Sequence, residues 1–170
     1  LTSLDLRDNR LTDKSLRAIM TAVVRNTTLR ELDLSNNKID AQGAEALRVY
    51  VASGGCRLTK LVLSGADLDD DECREFCKAF QTNRSIKHLD LSHNQIGVRE
   101  NYNFVRPEYI TGAEALAEVL ESNETLTHLD LSWNGVRGAS AARLGRGLAR
   151  NRALRSLAAA YNVFGDEGSQ

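Results

Sequence analysis

The sequence predicts an α/β solenoid, a horseshoe with parallel strands on its concave face and helices on its convex face. Three observations predict it. Six apolar stretches align, beginning at Leu1, Leu29, Leu58, Ile86, Leu126 and Leu154, with starts 28, 29, 28, 40 and 28 residues apart. Between them apolar residues recur at helical spacing, as in Leu16, Ile19, Met20 and Val23 or Ala113, Leu116, Ala117 and Leu120. An asparagine closes each stretch but one, at Asn9, Asn37, Asn94, Asn134 and Asn162.

Each stretch, such as "LTSLDLRDNRL" or "IKHLDLSHNQI", follows the leucine-rich repeat pattern L-x-x-L-x-L-x-x-N-x-L. The alternating leucines make a short strand with one buried face, and the residues between them face the other way. The asparagine stands where the chain turns, with an amide able to bond turn backbone that must not be left unpaired. Repeat three has Ala66 there, so a looser turn is expected. A helix follows each turn. One repeat cannot bury its own apolar face, so neighbours stack. Strands pack about 4.8 Å apart while helices need about 10 Å, and the mismatch bends the stack.

The period of 28–29 residues, a full helix per repeat, and the phrases "QGAEAL" (42–47) and "TGAEAL" (111–116) give the chain its resemblance to the ribonuclease inhibitor type of leucine-rich repeat. The resemblance covers all 170 residues as a single solenoid of about six repeats. It implies a fold far more than a function. That subfamily includes ribonuclease inhibitor, the ligand-sensing repeats of NOD-like receptors, the Ran GTPase-activating protein, and cytoskeletal and ciliary scaffolds. Leu1 opens directly on a strand and no polar capping repeat is visible, so the stretch reads as a piece of a longer array.

Composition narrows the function classes. A net charge of −1 argues against the chain as a whole being an electrostatic binder of nucleic acid or membrane. No apolar run approaches the ~18 residues of a membrane span. Cys56, Cys73 and Cys77 are an odd number without regular spacing, which argues against a disulfide framework and for a reducing, cytoplasmic setting. Cys73 and Cys77 read as small buried hydrophobes on one helical face.

Other matches carry structure more than chemistry. Asn26, Asn83 and Asn123 fit the N-glycosylation pattern. With Asn151 they share one place after each helix, which reads as a left-handed helix cap. The acid run "DLDDDE" (67–72) places four acids at the opening of the third helix, where the dipole favours them. It lacks the alternating ligands and glycine turn of a calcium loop. No phosphate-binding glycine loop, nucleophile elbow or Ser-His-Asp set is present. The expectation is a protein without a catalytic residue, cofactor or metal. His88 and His128 fall in one column of adjacent strands, each followed on the same face by an acid, Asp90 and Asp130. They read as acid-paired histidines of a polar lining, or as a divalent metal site.

Three places stand out for a protein partner. One column reads Asp8, Asn36, Gly65, His93, Trp133, Tyr161, with its aromatics at one end. Trp133 there is either an exposed anchor or a lid over the turn. The second is an insertion over 97–108. Ile39 to Gly43 is four positions whereas Ile96 to Gly112 is sixteen, so twelve residues are added between strand four and its helix. Arg99, Tyr102, Phe104, Arg106 and Tyr109 make it a contact loop near the concave rim, or an edge cover packed on the solenoid. The third is charge. Residues 1–130 hold 16 basic and 21 acidic side chains, whereas Leu131 to Gly165 hold six arginines and no acid. Arg143, Arg146 and Arg150 share a helical face, which is either solvated or suited to an acidic partner. A GTPase activator of the Ran-directed type is a rival reading, although no arginine here matches that family's functional position.

Overall fold

A computed structural model of the chain describes residues 1–98 and 109–165. The leucine spacing leaves room for only three strand residues per repeat. The strands are β1 (Ser3–Asp5), β2 (Glu31–Asp33), β3 (Lys60–Val62), β4 (His88–Asp90), β5 (His128–Asp130) and β6 (Ser156–Ala158). They form one parallel sheet in chain order, each leucine in register with the next, from Leu4 opposite Leu32 to Leu129 opposite Leu157. The helices α1 (Asp13–Val23), α2 (Ala41–Ala52), α3 (Asp70–Cys77), α4 (Gly112–Ser122) and α5 (Gly138–Arg150) run back along the other side. A 3-10 turn, Lys78–Gln81, extends α3.

The core lies between the two layers. Leu32, Leu61, Leu89 and Leu129 project into it from the strands and Leu34, Leu63, Leu91 and Leu131 from the turns, all at most 3% exposed. Leu16, Met20 and Val23 meet them from α1, and Ala113, Leu116, Ala117 and Leu120 from α4. Ile19 is only partly buried and packs on the rim of this core. Cys56, Cys73 and Cys77 are unpaired and buried. Contact with Cys77, together with burial, raises the pKa of the Cys73 thiol well above its ordinary value, which suits packing rather than reactivity. Among the described residues no helix is long and apolar enough to cross a membrane.

The asparagine column is a ladder. Asn94 donates its amide to the carbonyls of Leu63, Leu91 and Ser92 at 2.9, 2.9 and 3.0 Å, and its Oδ1 accepts from Leu68 N at 3.0 Å. Asn37, Asn134 and Asn162 repeat the pattern. The turn at Ala66 is not loose, contrary to expectation. Ala66 is fully buried, and its own carbonyl accepts from Ile39 N at 3.0 Å, the place an asparagine oxygen fills elsewhere. Asp67 adopts a left-handed φ of 59° within this altered turn.

A second ladder runs along the opposite end of the strands. Asn83 Oδ1 accepts from Ser85 N and Ile86 N, both at 3.0 Å, while its amide donates to Val51 O at 2.8 Å in the preceding repeat. Asn123 and Asn151 do the same, and Asn26 makes the two acceptor bonds. The left-handed cap expected at these positions is therefore corrected. Asn123 and Asn151 are extended, with φ of −83° and −70°. The side chain, rather than an unusual backbone, closes the turn.

Candidate functional site

The site is built where β4, β5 and β6 pass into their turns. His93, Trp133 and Tyr161 stand at equivalent turn positions with φ of 55°, 58° and 56°. Bulky residues rarely adopt this left-handed region because Cβ crowds the backbone. Here bonds to the next repeat hold the backbone of the first two in place. His93 N donates to Ser132 O at 2.9 Å and Trp133 N to Ala160 O at 2.8 Å, which extends the sheet bonding past the strands. The three rings stack. His93 and Trp133 lie 5.4 Å apart between centroids at 13°, and Trp133 and Tyr161 3.9 Å apart at 16°. Trp133 remains 49% exposed and Tyr161 69%. Trp133 is thus not a lid over the core; its faces rest on two neighbouring rings.

The concave floor beside this stack carries His88 and His128. Strand register sets them opposite each other, and their rings stack at 4.1 Å and 9°. His128 Nδ1 lies 2.9 Å from Thr127 Oγ1. The pKa of His88 is lowered, first by burial, then by the charges of His128, Lys60 and Lys87. Acid pairing is corrected: Asp90 and Asp130 turn away to accept from Ser92 N and Ser132 N at 2.9 and 2.8 Å, capping the turns. Among the described residues no ion pair joins either histidine to them, and no His, Cys, Asp or Glu group is arranged to hold a metal. The depression over these residues has a volume of about 220 Å³. That is below the few hundred Å³ of an ordinary small-molecule site and suits a surface contact.

The insertion meets the solenoid at two roots. Arg99, Tyr102, Phe104 and Arg106 lie outside the described residues. Tyr109 rests against α3, its hydroxyl donating to Asp71 Oδ1 at 3.4 Å and Arg74 lying 5.2 Å over its ring. Asp70 holds both roots: its Oδ1 accepts from Gly97 N and Gly112 N, each at 2.7 Å, in full burial. Neither glycine tolerates a side chain. A Cβ at Gly112 would sit 2.8 Å from Cys73 Cβ, and one at Gly97 would sit 2.8 Å from Val136 Cα. In the sequence Asp70 is one acid of a run; the pair of glycines bracketing the insertion is the signal that a buried acceptor joins them.

The arginine face of α5 is divided. Arg143 pairs with Glu121 at 3.6 Å and Glu118 at 3.9 Å, and Arg150 pairs with Glu121 at 3.3 Å. The acids absent from residues 131–165 come from α4. Arg146 is exposed and has no acidic partner among the described residues.

The model of the leucine-rich repeat family matches residues 1–20, 25–47, 82–99 and 122–145. It passes over repeat three, whose asparagine is missing, and over most of the insertion. The chain is 31% identical over 149 residues to mouse NACHT, LRR and PYD domains-containing protein 14, covering 87% of the chain and 14% of that protein. It is 29% identical over 171 residues to mouse ribonuclease inhibitor, covering 100% of the chain and 35% of the inhibitor. The chain thus spans only 14% and 35% of these curated relatives. The tropomodulin C-terminal domain of Caenorhabditis elegans superposes with a TM-score of 0.65 at 14% identity, covering 88% of this chain and 83% of that one, a likeness of fold.

Proposed function

We propose, from the premise that this chain belongs to the leucine-rich repeat family in its ribonuclease inhibitor type, that it is a non-enzymatic, cytoplasmic module for binding a protein partner. The partner contacts His93, Trp133 and Tyr161 at the strand ends, the His88–His128 floor, and the insertion with Arg99, Tyr102, Phe104, Arg106 and Tyr109. The aromatic stack carries this reading. Holding bulky rings at left-handed φ costs about 1–3 kcal/mol each, and such strain gathers where function requires it. These rings do not use their position to fill the core; they present tryptophan and tyrosine to solvent, the residue types that dominate binding hot spots. The name of the ribonuclease inhibitor relative supports a protein target, and neither nucleic acid nor a membrane is part of the reading.

Affinity capture from the source cell's lysate, read by mass spectrometry, tests it with three forms of the chain: unaltered, Trp133→Ala/Tyr161→Ala, and Tyr102→Ala/Phe104→Ala. Circular dichroism first verifies folding. The expected result is a protein retained by the unaltered chain and lost with the ring substitutions. Retention by all three forms removes both surfaces from the site. A second reading, ligand sensing, is favoured by the similarity to NACHT, LRR and PYD domains-containing proteins. It is also favoured by a groove of about 610 Å³ between α1 and α2, lined by Met20, Val24, Val49 and Tyr50, which lies within the range of small-molecule sites. It predicts that a small ligand shifts the tyrosine signals of that groove or the fluorescence of Trp133.

A further inference from the structure

The loops that lead from each helix into the next strand form a rim opposite the aromatic stack, and this rim is basic. Arg30, Arg57, Arg84, Lys87, Arg152 and Arg155 are exposed on it, against two exposed acids, Glu31 and Glu124. None of the six forms an ion pair among the described residues. Several cations elsewhere are tied: Arg7 to Asp5 at 2.8 Å and Lys38 to Asp67 at 3.2 Å on the opposite rim, Arg48 to Glu75 at 2.8 Å between helices.

Three of these arginines are pre-positioned by the same device in successive repeats. Arg30 Nη1 donates to the carbonyls of Thr27 and Leu29 at 3.0 and 3.1 Å. Arg57 Nη1 donates to Gly54 and Cys56 at 2.8 and 3.0 Å, and Arg84 Nη1 to Phe80 and Asn83 at 3.3 and 2.9 Å. One nitrogen of each guanidinium is pinned to the loop, and Nε and Nη2 have no partner among the described residues. A guanidinium held this way offers a carboxylate the remaining donors of its planar fork without first losing its freedom. The three loops precede β2, β3 and β4, and the arginines step back along them, one residue after Leu29, one before Leu58 and two before Ile86, so the forks form a staggered row across neighbouring repeats. Acidic side chains on one side of an extended segment recur every ~6.8 Å, and on one face of a helix every ~5–6 Å.

We propose that this rim is a second interaction surface, independent of the aromatic stack, which takes an acidic segment of a polypeptide laid across the repeats. Nucleic acid fits it less well. Binding of a single strand combines a basic track with stacking platforms. The platforms here, His93, Trp133 and Tyr161, stand at the other end of the strands, beyond a column of acids at Asp33, Asp90 and Asp130.

Fluorescence anisotropy with the full chain and a short labelled peptide of alternating Glu and Ser tests the proposal. Lys87→Glu/Arg155→Glu alters two rim side chains that make no side-chain hydrogen bond among the described residues, so folding is retained. Lys14→Glu/Lys38→Glu makes the same change in net charge off the rim. The expected result is salt-sensitive binding, weakened at least about tenfold by the rim pair and less than about twofold by the control pair. Arg57→Lys/Arg84→Lys, which preserves charge and removes the fork, weakens it by about threefold or more. No binding of the peptide, equal loss in the two charge-reversed pairs, or tighter binding of poly-uridine or of phosphatidylserine vesicles than of the peptide each overturns the proposal.

Discussion

At the scale of single residues, most roles follow from where the repeat places a side chain, and the informative ones are those placed against their own preference. Trp133 and Tyr161 occupy a turn position that elsewhere in the column holds Asp8, Asn36 and Gly65, residue types at ease with left-handed backbone. The sequence shows the column and its composition. It does not show the sign of φ, which is set by bonds from the next repeat. His88 is a second case. Its carboxylate neighbour is legible in the strand, but Asp90 is drawn to the turn N–H, and the ring is left to stack on His128. Burial is the first cause of the lowered His88 pKa and the His128 charge comes after it. An NMR titration of the ring protons is therefore expected to place His88 below the ordinary 6.5 in the unaltered chain. In His128→Asn the midpoint moves up and stays under that value. Since the folded pKa is the lower one, the linked stability is intact above about pH 6.5 and falls as the pH drops through the folded midpoint. A His88 midpoint at or above the ordinary value discounts burial at this floor.

At the scale of elements, the strands β2, β4, β5 and β6 are each closed at both ends by asparagine, and the two ends were not equally readable. The turn after the strand announces itself through L-x-x-N. The loop before the strand displays an asparagine in the same place, but its nearest sequence analogue is the left-handed helix cap, and the side-chain bonds to Val51, Phe80 and Leu120 connect residues about one repeat or more away. Asp70 escapes for the same reason: its two donors are 27 and 42 positions distant. The turn ladder gives an asymmetric prediction. Asn94→Ala strands several buried backbone groups and is expected to cost about 1–3 kcal/mol. Ala66→Asn gives no comparable gain, because Ala66 O already serves Ile39 N and the position is fully buried. Urea unfolding of the two variants checks both. A substantial stabilisation by Ala66→Asn would show that the altered turn is a defect.

At the scale of the whole molecule, contacts run between sequential repeats, so stability passes along the stack. Leu61 is the buried centre of β3, in register with Leu32 on one side and Leu89 on the other. Leu61→Ala is expected to cost about 2–5 kcal/mol. It also splits unfolding, with the amides of β1 and β2 exchanging separately from those of β5 and β6. Hydrogen exchange read by mass spectrometry distinguishes this from a single transition. The overall architecture was the most legible feature, because a period of 28–29 residues is written directly in the chain. The division of labour between its edges was not, since pairing of Arg143 and Arg150 with acids of α4 appears only once the helices lie side by side.

The clasp formed by Asp70 has a consequence for how such a chain changes over time. Gly97 N and Gly112 N rest on the same oxygen, so the excursion between them leaves and returns at one point. To the solenoid it is a ring closed at Asp70, with Tyr109 set against α3 beside the closure. Lengthening such a ring is cheap, about 0.6 kcal/mol for each doubling, and its side chains answer to no repeat period. The scaffold can therefore stay fixed while this one appendage is rewritten in length and composition, which makes it a natural port for acquiring a new specificity.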